Sequence, residues 1–243
     1  MCYQRMKLLS VLFASLICIY AGPPLPPLGN LSNYGILAAT TVTNTGNSIV
    51  AGNVGVYPGS AIVGFPPGIA VFPGAVITDA TENMIAQEEA NALNIVLLAA
   101  GPSIALTGDL ATQILVAGVY SYTSSAMISG AGILTLDGGG NSSSVWIFQI
   151  GSTLTTGTSS SVVMINQGSP CNVFWSIGSS ATFQTTTTWV GTVVATVSIT
   201  FVTGATLLGA GLALTGAVTM DTNGIAPCLD EECPCTPCTS TGV

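Results

Sequence analysis

Beyond Gly101 the chain alternates apolar and small polar residues with a period of two, the signature of half-buried strands. Trp146-Ile147-Phe148-Gln149-Ile150, Val173-Phe174-Trp175-Ser176-Ile177, Gly191-Thr192-Val193-Val194-Ala195 and Gly211-Leu212-Ala213-Leu214-Thr215 read as one strand repeated. A second strand follows each, in Thr153-Leu154-Thr155, Thr182-Phe183-Gln184, Ser198-Ile199-Thr200 and Val218-Thr219-Met220. The later repeats recur every 18 or 19 residues, with a longer insertion ahead of Cys171. Self-similarity at such a period predicts a solenoid. Alternation points Leu154, Phe183, Ile199, Val218 and Met220 inward. It turns Thr153, Thr155, Thr182, Gln184, Ser198, Thr200, Ala217 and Thr219 outward.

Residues 36–77 predict further short strands between glycine and proline breakers, among them Thr41-Val42-Thr43 and Val54-Gly55-Val56. A helix follows over about 79–100. Asp79 can cap it and Glu82 can reach back; no Gly or Pro interrupts it before Gly101-Pro102. Helical spacing predicts a buried face of Ile85, Ala92, Leu93, Val96 and Ala100, with Glu88 and Glu89 on the solvated side. Such a helix is about 33 Å long, close to the height of seven coils stacked at about 4.8 Å. One helix can therefore cover one side of the column. The expected fold is a β-solenoid of about 6–7 coils, with that helix alongside. Stacking would arrange the outward residues of the second strands in two ranks. These are spaced about 4.8 Å between coils and about 6.7 Å along a strand.

Arg5 and Lys7 are the only basic residues of the 243, and the chain has no histidine. They precede an apolar run, Leu8 to Ala21, that is shorter than the ~20 residues a membrane span needs. This is the layout of a secretory signal. The expected organisation is therefore a signal peptide over 1–21, a solenoid domain over 22–227 and a Cys/Pro-rich tail over 228–243. The mature form would be extracellular and outside any membrane. Of the seven cysteines, five would remain: Cys171, Cys228, Cys233, Cys235 and Cys238. A secreted context favours disulfides, and Cys171 with Cys228 is one pairing among several left open. The tail cluster lacks histidine, so a knotted or flexible tail is a better reading than a metal site.

Catalysis finds little support. A Ser or Cys nucleophile would lack its usual base, and there is no Lys or Arg for an oxyanion or phosphate clamp. Asp109, Asp137 and Asp221 are the sole acids between helix and tail and sit where turns are expected. Gly138-Gly139-Gly140 has neither the lysine nor the helix of a phosphate loop. Nucleic acid, whose binding rests on cationic contacts, is no sensible partner. The expectation is no enzyme, no cofactor and no metal.

Four segments carry a resemblance to a known family: Leu28 to Ala38, Ile49 to Val56, Val145 to Ile150 and Asn172 to Gly178. They are similar, in order, to stretches of the secreted ice-binding proteins with a discontinuous β-solenoid. The match runs from about residue 28 to residue 223. The resemblance implies a right-handed parallel β-helix of triangular section with one long α-helix packed alongside. It also implies adsorption to ice, with thermal hysteresis and inhibition of recrystallisation. On this chain the family's ice-binding face falls on Thr153, Thr155, Thr182, Gln184, Ser198, Thr200, Ala217 and Thr219, with Thr40 and Ser129 as additions from neighbouring coils. The expected partner is ice or ordered water, met by a monomer.

The chemistry of the residues agrees with that implication. Ice competes with water of nearly the same hydrogen-bonding capacity, so ordinary hydrogen bonds give little net preference. Discrimination needs many weakly polar groups at fixed spacing, and threonine, stiff at χ1, loses little entropy when held there. Threonine is also simply a good strand former. An extracellular adhesin or neutral-polysaccharide-binding solenoid is therefore the alternative, and a polysaccharide lyase or hydrolase a third reading.

Overall fold

The computed structural model describes residues 22–228. The expected signal over 1–21, and the tail after Cys228, lie outside the described residues. The fold is a right-handed parallel β-helix of three sheets with one α-helix. Sheet A stacks Asn53–Val56, Tyr34–Ala38, Gly211–Ala213, Thr192–Ala195, Val173–Ile177, Trp146–Ile150, Gly118–Tyr122 and Ile104–Ala105 in that order. Sheet B stacks Ala126–Ile128, Leu154–Thr156, Ala181–Phe183, Ile199–Phe201, Val218–Asp221, Thr41–Thr45 and Ala61–Val63. Sheet C begins with Ile69–Ala70, Ile49–Val50, Gly224–Ala226 and Thr206–Leu208. It continues with Thr188–Val190, Ser161–Ile165, Ile133–Asp137 and Ile114–Val116.

Stacking order is not chain order. The coil made by residues 34–50 sits directly on the last coil, 211–226, and the coil of residues 53–70 lies outside it. The chain must then cross to the opposite end before it can build the rest. Helix α1, Ala80–Ala99, makes that crossing. Its 20 residues span about 30 Å, against about 34 Å for eight strands.

The interior between the sheets is filled by side chains that alternate inward from all three. Aromatic rings run through it: Tyr120 stacks on Phe148 at 5.5 Å, Phe148 on Trp175 at 4.0 Å, and Phe183 on Phe201 at 5.0 Å. Coils approach closely where sheet A turns into sheet B. A Cβ on Gly178 would lie 2.5 Å from the carbonyl oxygen of Gly151, so glycine sets the spacing there.

Helix α1 covers the outer side of sheet A, but with a different face from the one expected. Asn83, Ala86, Gln87, Ala90, Leu93 and Leu97 are buried, packed with Leu37, Ile147, Phe174, Val194 and Leu212. Of the expected stripe, Leu93 is buried and Ala100 half-buried, whereas Ile85, Ala92 and Val96 face out. The physical reason is that sheet A presents polar groups that apolar residues could not satisfy. Gln87 Nε2 donates to the carbonyls of Ala213 and Leu214 at 3.2 and 3.1 Å. Ser176 Oγ donates to Asn94 Oδ1 at 2.7 Å, and Tyr34 donates to Asn83 Oδ1 at 3.0 Å. Gln149 Nε2 donates to the carbonyls of Leu97 and Ala100, both at 2.8 Å, and so caps a helix end that has no basic residue.

At the other end Asp79 Oδ1 accepts from the backbone of Thr81 and Glu82 at 2.7 and 3.0 Å. The N-cap therefore forms without a reciprocal bond from Glu82. Glu88 is exposed as expected, but Glu89 is half-buried and accepts from Asn30 Nδ2 at 3.0 Å. Burial, then the negative charges of Glu82, Glu89 and Asp79, push the Tyr34 hydroxyl well above its ordinary value, keeping it a neutral donor. Cys171 is joined to Cys228, which ties the insertion ahead of the 173–177 strand to the end of the last coil. Among the described residues no helix is long and apolar enough to cross a membrane.

Candidate functional site

Sheet B carries Thr155, Thr182, Thr200 and Thr219 of the residues singled out from the sequence on its strands, and the helix lies on another side of the column. Its strands are three to five residues long, and the middle outward position of each is paired in register with the next. The pairs are Met127 with Thr155, Thr155 with Thr182, Thr182 with Thr200, Thr200 with Thr219, Thr219 with Thr43, and Thr43 with Val63. Five consecutive threonines thus form one rank, about 4.8 Å from coil to coil. Thr155 and Thr219 are exposed; Thr182, Thr200 and Thr43 are half-buried between neighbours. Among the described residues none of these five hydroxyls has a hydrogen-bond partner. Beneath them Val42, Leu154, Phe183, Ile199, Val218 and Met220 are fully buried and fix the strands from inside.

A second rank lies two positions earlier along each strand and contains Thr153, Ser198 and Ala217. Its hydroxyls are held by the column. Thr153 Oγ1 donates to Ser125 Oγ at 2.8 Å, Ser198 N donates to Ser180 Oγ at 3.3 Å, and Ala217 N donates to Ser198 Oγ at 3.1 Å. Gln184 and Ser129 stand just past the ends of their strands, on the side toward sheet C. The backbone of Gln184 donates to Thr156 Oγ1 at 2.9 Å. Thr156 points inward and is joined to Thr187 Oγ1 at 2.9 Å. Thr40 is exposed at the turn between sheets A and B, its N–H bonded to the carbonyl of Gly216, and is not on a sheet B strand. The N-terminal coil meets the central rank through Thr43 instead. Thr41-Val42-Thr43 was legible as a strand, but its place beside Val218 depends on stacking order.

Charge stays at the margins. Asp221 follows Met220 on the strand, paired with Thr45, and its carboxylate accepts from Thr203 and Thr222. Asp109, at the far end, accepts from the backbone of Ala111 at 2.8 Å and of Ser129 at 3.1 Å. Burial would raise its carboxyl, but hydrogen bonds from Ser129 and Ala111 outweigh that and hold it below the ordinary value. Asp137 is held low by the backbone N–H of Gly139 and the amide of Asn166. All three acids therefore secure turns, as their positions predict. Among the described residues no group of His, Cys, Asp and Glu could hold a metal. A cleft of ≈ 440 Å³ beside the N-terminus of α1, lined by Asn30, Asn33, Asn53, Asp79 and Glu82, stands away from sheet B.

A rank of uncharged, regularly spaced and unpartnered hydroxyls is able to impose positions on many waters at once. A family profile described as Ice-binding-like matches residues 36–226, nearly the whole solenoid. The chain belongs to the ice-binding-like family. It is 47% identical over 202 residues to an ice-binding protein of Nostoc sp. (strain HG1), covering 82% of this chain and 73% of that one. Among solved structures it resembles an ice binding protein from an Antarctic biological consortium, with a TM-score of 0.79 and 38% identity over 84% of this chain and 91% of that one. The ice-binding protein of the Antarctic ascomycete Antarctomyces psychrotrophicus gives 0.76 and 38%, covering 84% and 98%. None of these three ice-binding relatives bears an enzyme's name.

Proposed function

We propose that this chain adsorbs to ice through the outer side of sheet B, producing thermal hysteresis and inhibiting recrystallisation, without catalysing a reaction. The observation that carries the reading is the in-register rank Thr155, Thr182, Thr200, Thr219 and Thr43. Each threonine offers a methyl and an unpartnered hydroxyl at a spacing the stacked backbone dictates. A rank fixed by main-chain hydrogen bonds can hold first-shell water in positions continuous with a crystal. Its ordering entropy is lost on folding rather than on adsorption. Thr153, Ser198 and Ala217 flank this rank on one side and Gln184 and Ser129 on the other, and Met127 continues it at one end. In this reading Thr40 marks the edge of the surface.

The protein acts outside the cell as a monomer, after removal of residues 1–21; the apolar run behind Arg5 and Lys7 supports that route. Thr182, with in-register neighbours on both sides, is the most informative position to alter. Thr182→Tyr should cut thermal hysteresis at least tenfold, with far-UV circular dichroism and melting temperature unchanged. Full hysteresis in a folded variant would reject this face. Selective binding to a neutral polysaccharide, with crystal growth unaffected, would instead identify an adhesin.

A further inference from the structure

Sheet C is the one side of the column that neither the helix nor the proposed site accounts for. Its outward residues Ile133, Ser161, Thr188, Thr206, Gly224, Ile49 and Ile69 pair in register through seven successive strands. Ile133, Ile49 and Ile69 are 47%, 49% and 48% exposed, and Leu208 and Val163 beside them are 42% and 39% exposed. The exposed isoleucines stand at the two ends of the rank, with Ser161, Thr188, Thr206 and Gly224 between them, so the surface mixes exposed methyls with hydroxyls at the coil spacing. Asp137 is the only charged residue on the strands of this sheet, and its carboxylate is occupied by Gly139 and Asn166.

Sheets B and C meet at a corner that is itself uncharged over three coils and in ladder contact throughout. There Ser159, Thr186 and Gly204 succeed one another, each backbone N–H bonded to the next coil, and Ser159 Oγ lies 2.8 Å from Thr186 Oγ1. We infer that the ice-contacting surface continues around this corner onto sheet C, so that one molecule carries two adjoining adsorption faces for differently oriented planes of the crystal. The inference rests on the reading of sheet B as an ice-contacting face.

Two features favour ice over a second copy of the chain. The in-register rank is about 29 Å long and about one strand wide, which gives roughly 400 Å² per molecule, half of what a stable interface takes from each partner. The surface also has Thr188 and Thr206 at its centre, where a dimer interface of this kind would concentrate its apolar residues. Repeated methyls and hydroxyls at the coil spacing are what sheet B presents as well.

Fluorescently labelled protein adsorbed to a single-crystal ice hemisphere tests this directly. The wild type should mark two families of planes. Thr206→Tyr should abolish one and keep the other, and Thr182→Tyr should do the reverse, with melting temperatures unchanged for both. If Thr182→Tyr removes all adsorption and Thr206→Tyr removes none, sheet C is not an ice face and the sheet B reading stands. If Thr182→Tyr leaves every plane marked, the sheet B reading fails first. Sedimentation of the wild type as a dimer that Thr206→Tyr converts to monomer would overturn the inference by assigning sheet C to a second copy.

Discussion

Thr156 shows how much a single inward side chain decides. Its neighbours in register on sheet B, such as Phe183, Phe201 and Met220, fill the interior with apolar atoms, whereas Thr156 Oγ1 accepts the backbone N–H of Gln184 and meets Thr187 Oγ1. All this happens out of water, with Thr156 2% and Thr187 0% exposed. Thr156→Val keeps the shape and removes the acceptor. It should cost about 1–3 kcal/mol, the penalty for a buried donor left unpaired, seen in chemical denaturation; Thr156→Ser should recover most of it. Unchanged stability in the valine variant would mean that the N–H of Gln184 finds another partner. The sequence identified Thr155 and Thr182 by alternation, but it gave no sign that the threonine between strand and corner had a different task.

For the elements, acidity is the variable that separates end from interior. Asp79 caps α1, Asp109 closes the edge of sheet B and Asp137 ties a turn of sheet C. All three carboxyls are held below their ordinary value. For Asp79 the chief cause is the backbone N–H of Glu82, followed by that of Thr81. A folded-state value below the unfolded one means that the unfolded chain binds more protons through that window. The stabilisation is complete above the unfolded value and is lost as pH falls through the folded one. The described residues contain no His, Lys or Arg, and Cys171 and Cys228 are bonded to each other, so among the described residues no side chain that ordinarily titrates near neutrality is present. The melting temperature should therefore be flat from about pH 5 to 8 and fall below about pH 4. A transition centred between pH 6 and 7 would contradict this. The helix itself was legible from its cap and its Gly-Pro stop. Its buried face was not, because a hydrophobic count cannot know that the opposing sheet needs the amides of Asn83, Gln87 and Asn94.

The whole molecule is closed by contacts between distant parts of the chain. Residues 34–50 complete the column by stacking on residues 211–226, and the Cys171–Cys228 bond ties the end of that last coil to the insertion. Closing a loop across a separation of 57 residues restricts the unfolded chain by about 4 kcal/mol. Replacing both cysteines by serine should lower unfolding stability by about that much. Hysteresis measured on the still-folded protein near 0 °C should not change, since the bond is remote from sheet B. A loss of hysteresis in the folded variant would show that the last coil needs the bond to align Thr219 with Thr43.

The sequence by itself determined the solenoid, the existence and length of the helix, and four of the five threonines in the central rank. Those features follow from local periodicity, strand propensity and a capped segment without breakers, all of which are written in near neighbours. The tertiary structure alone decided that Thr43 completes the rank, that Thr40 does not, and which face of α1 is buried. The first two depend on which coil lies against which, set by pairing between residues more than 150 positions apart; the third depends on the polar groups that sheet A turns toward the helix.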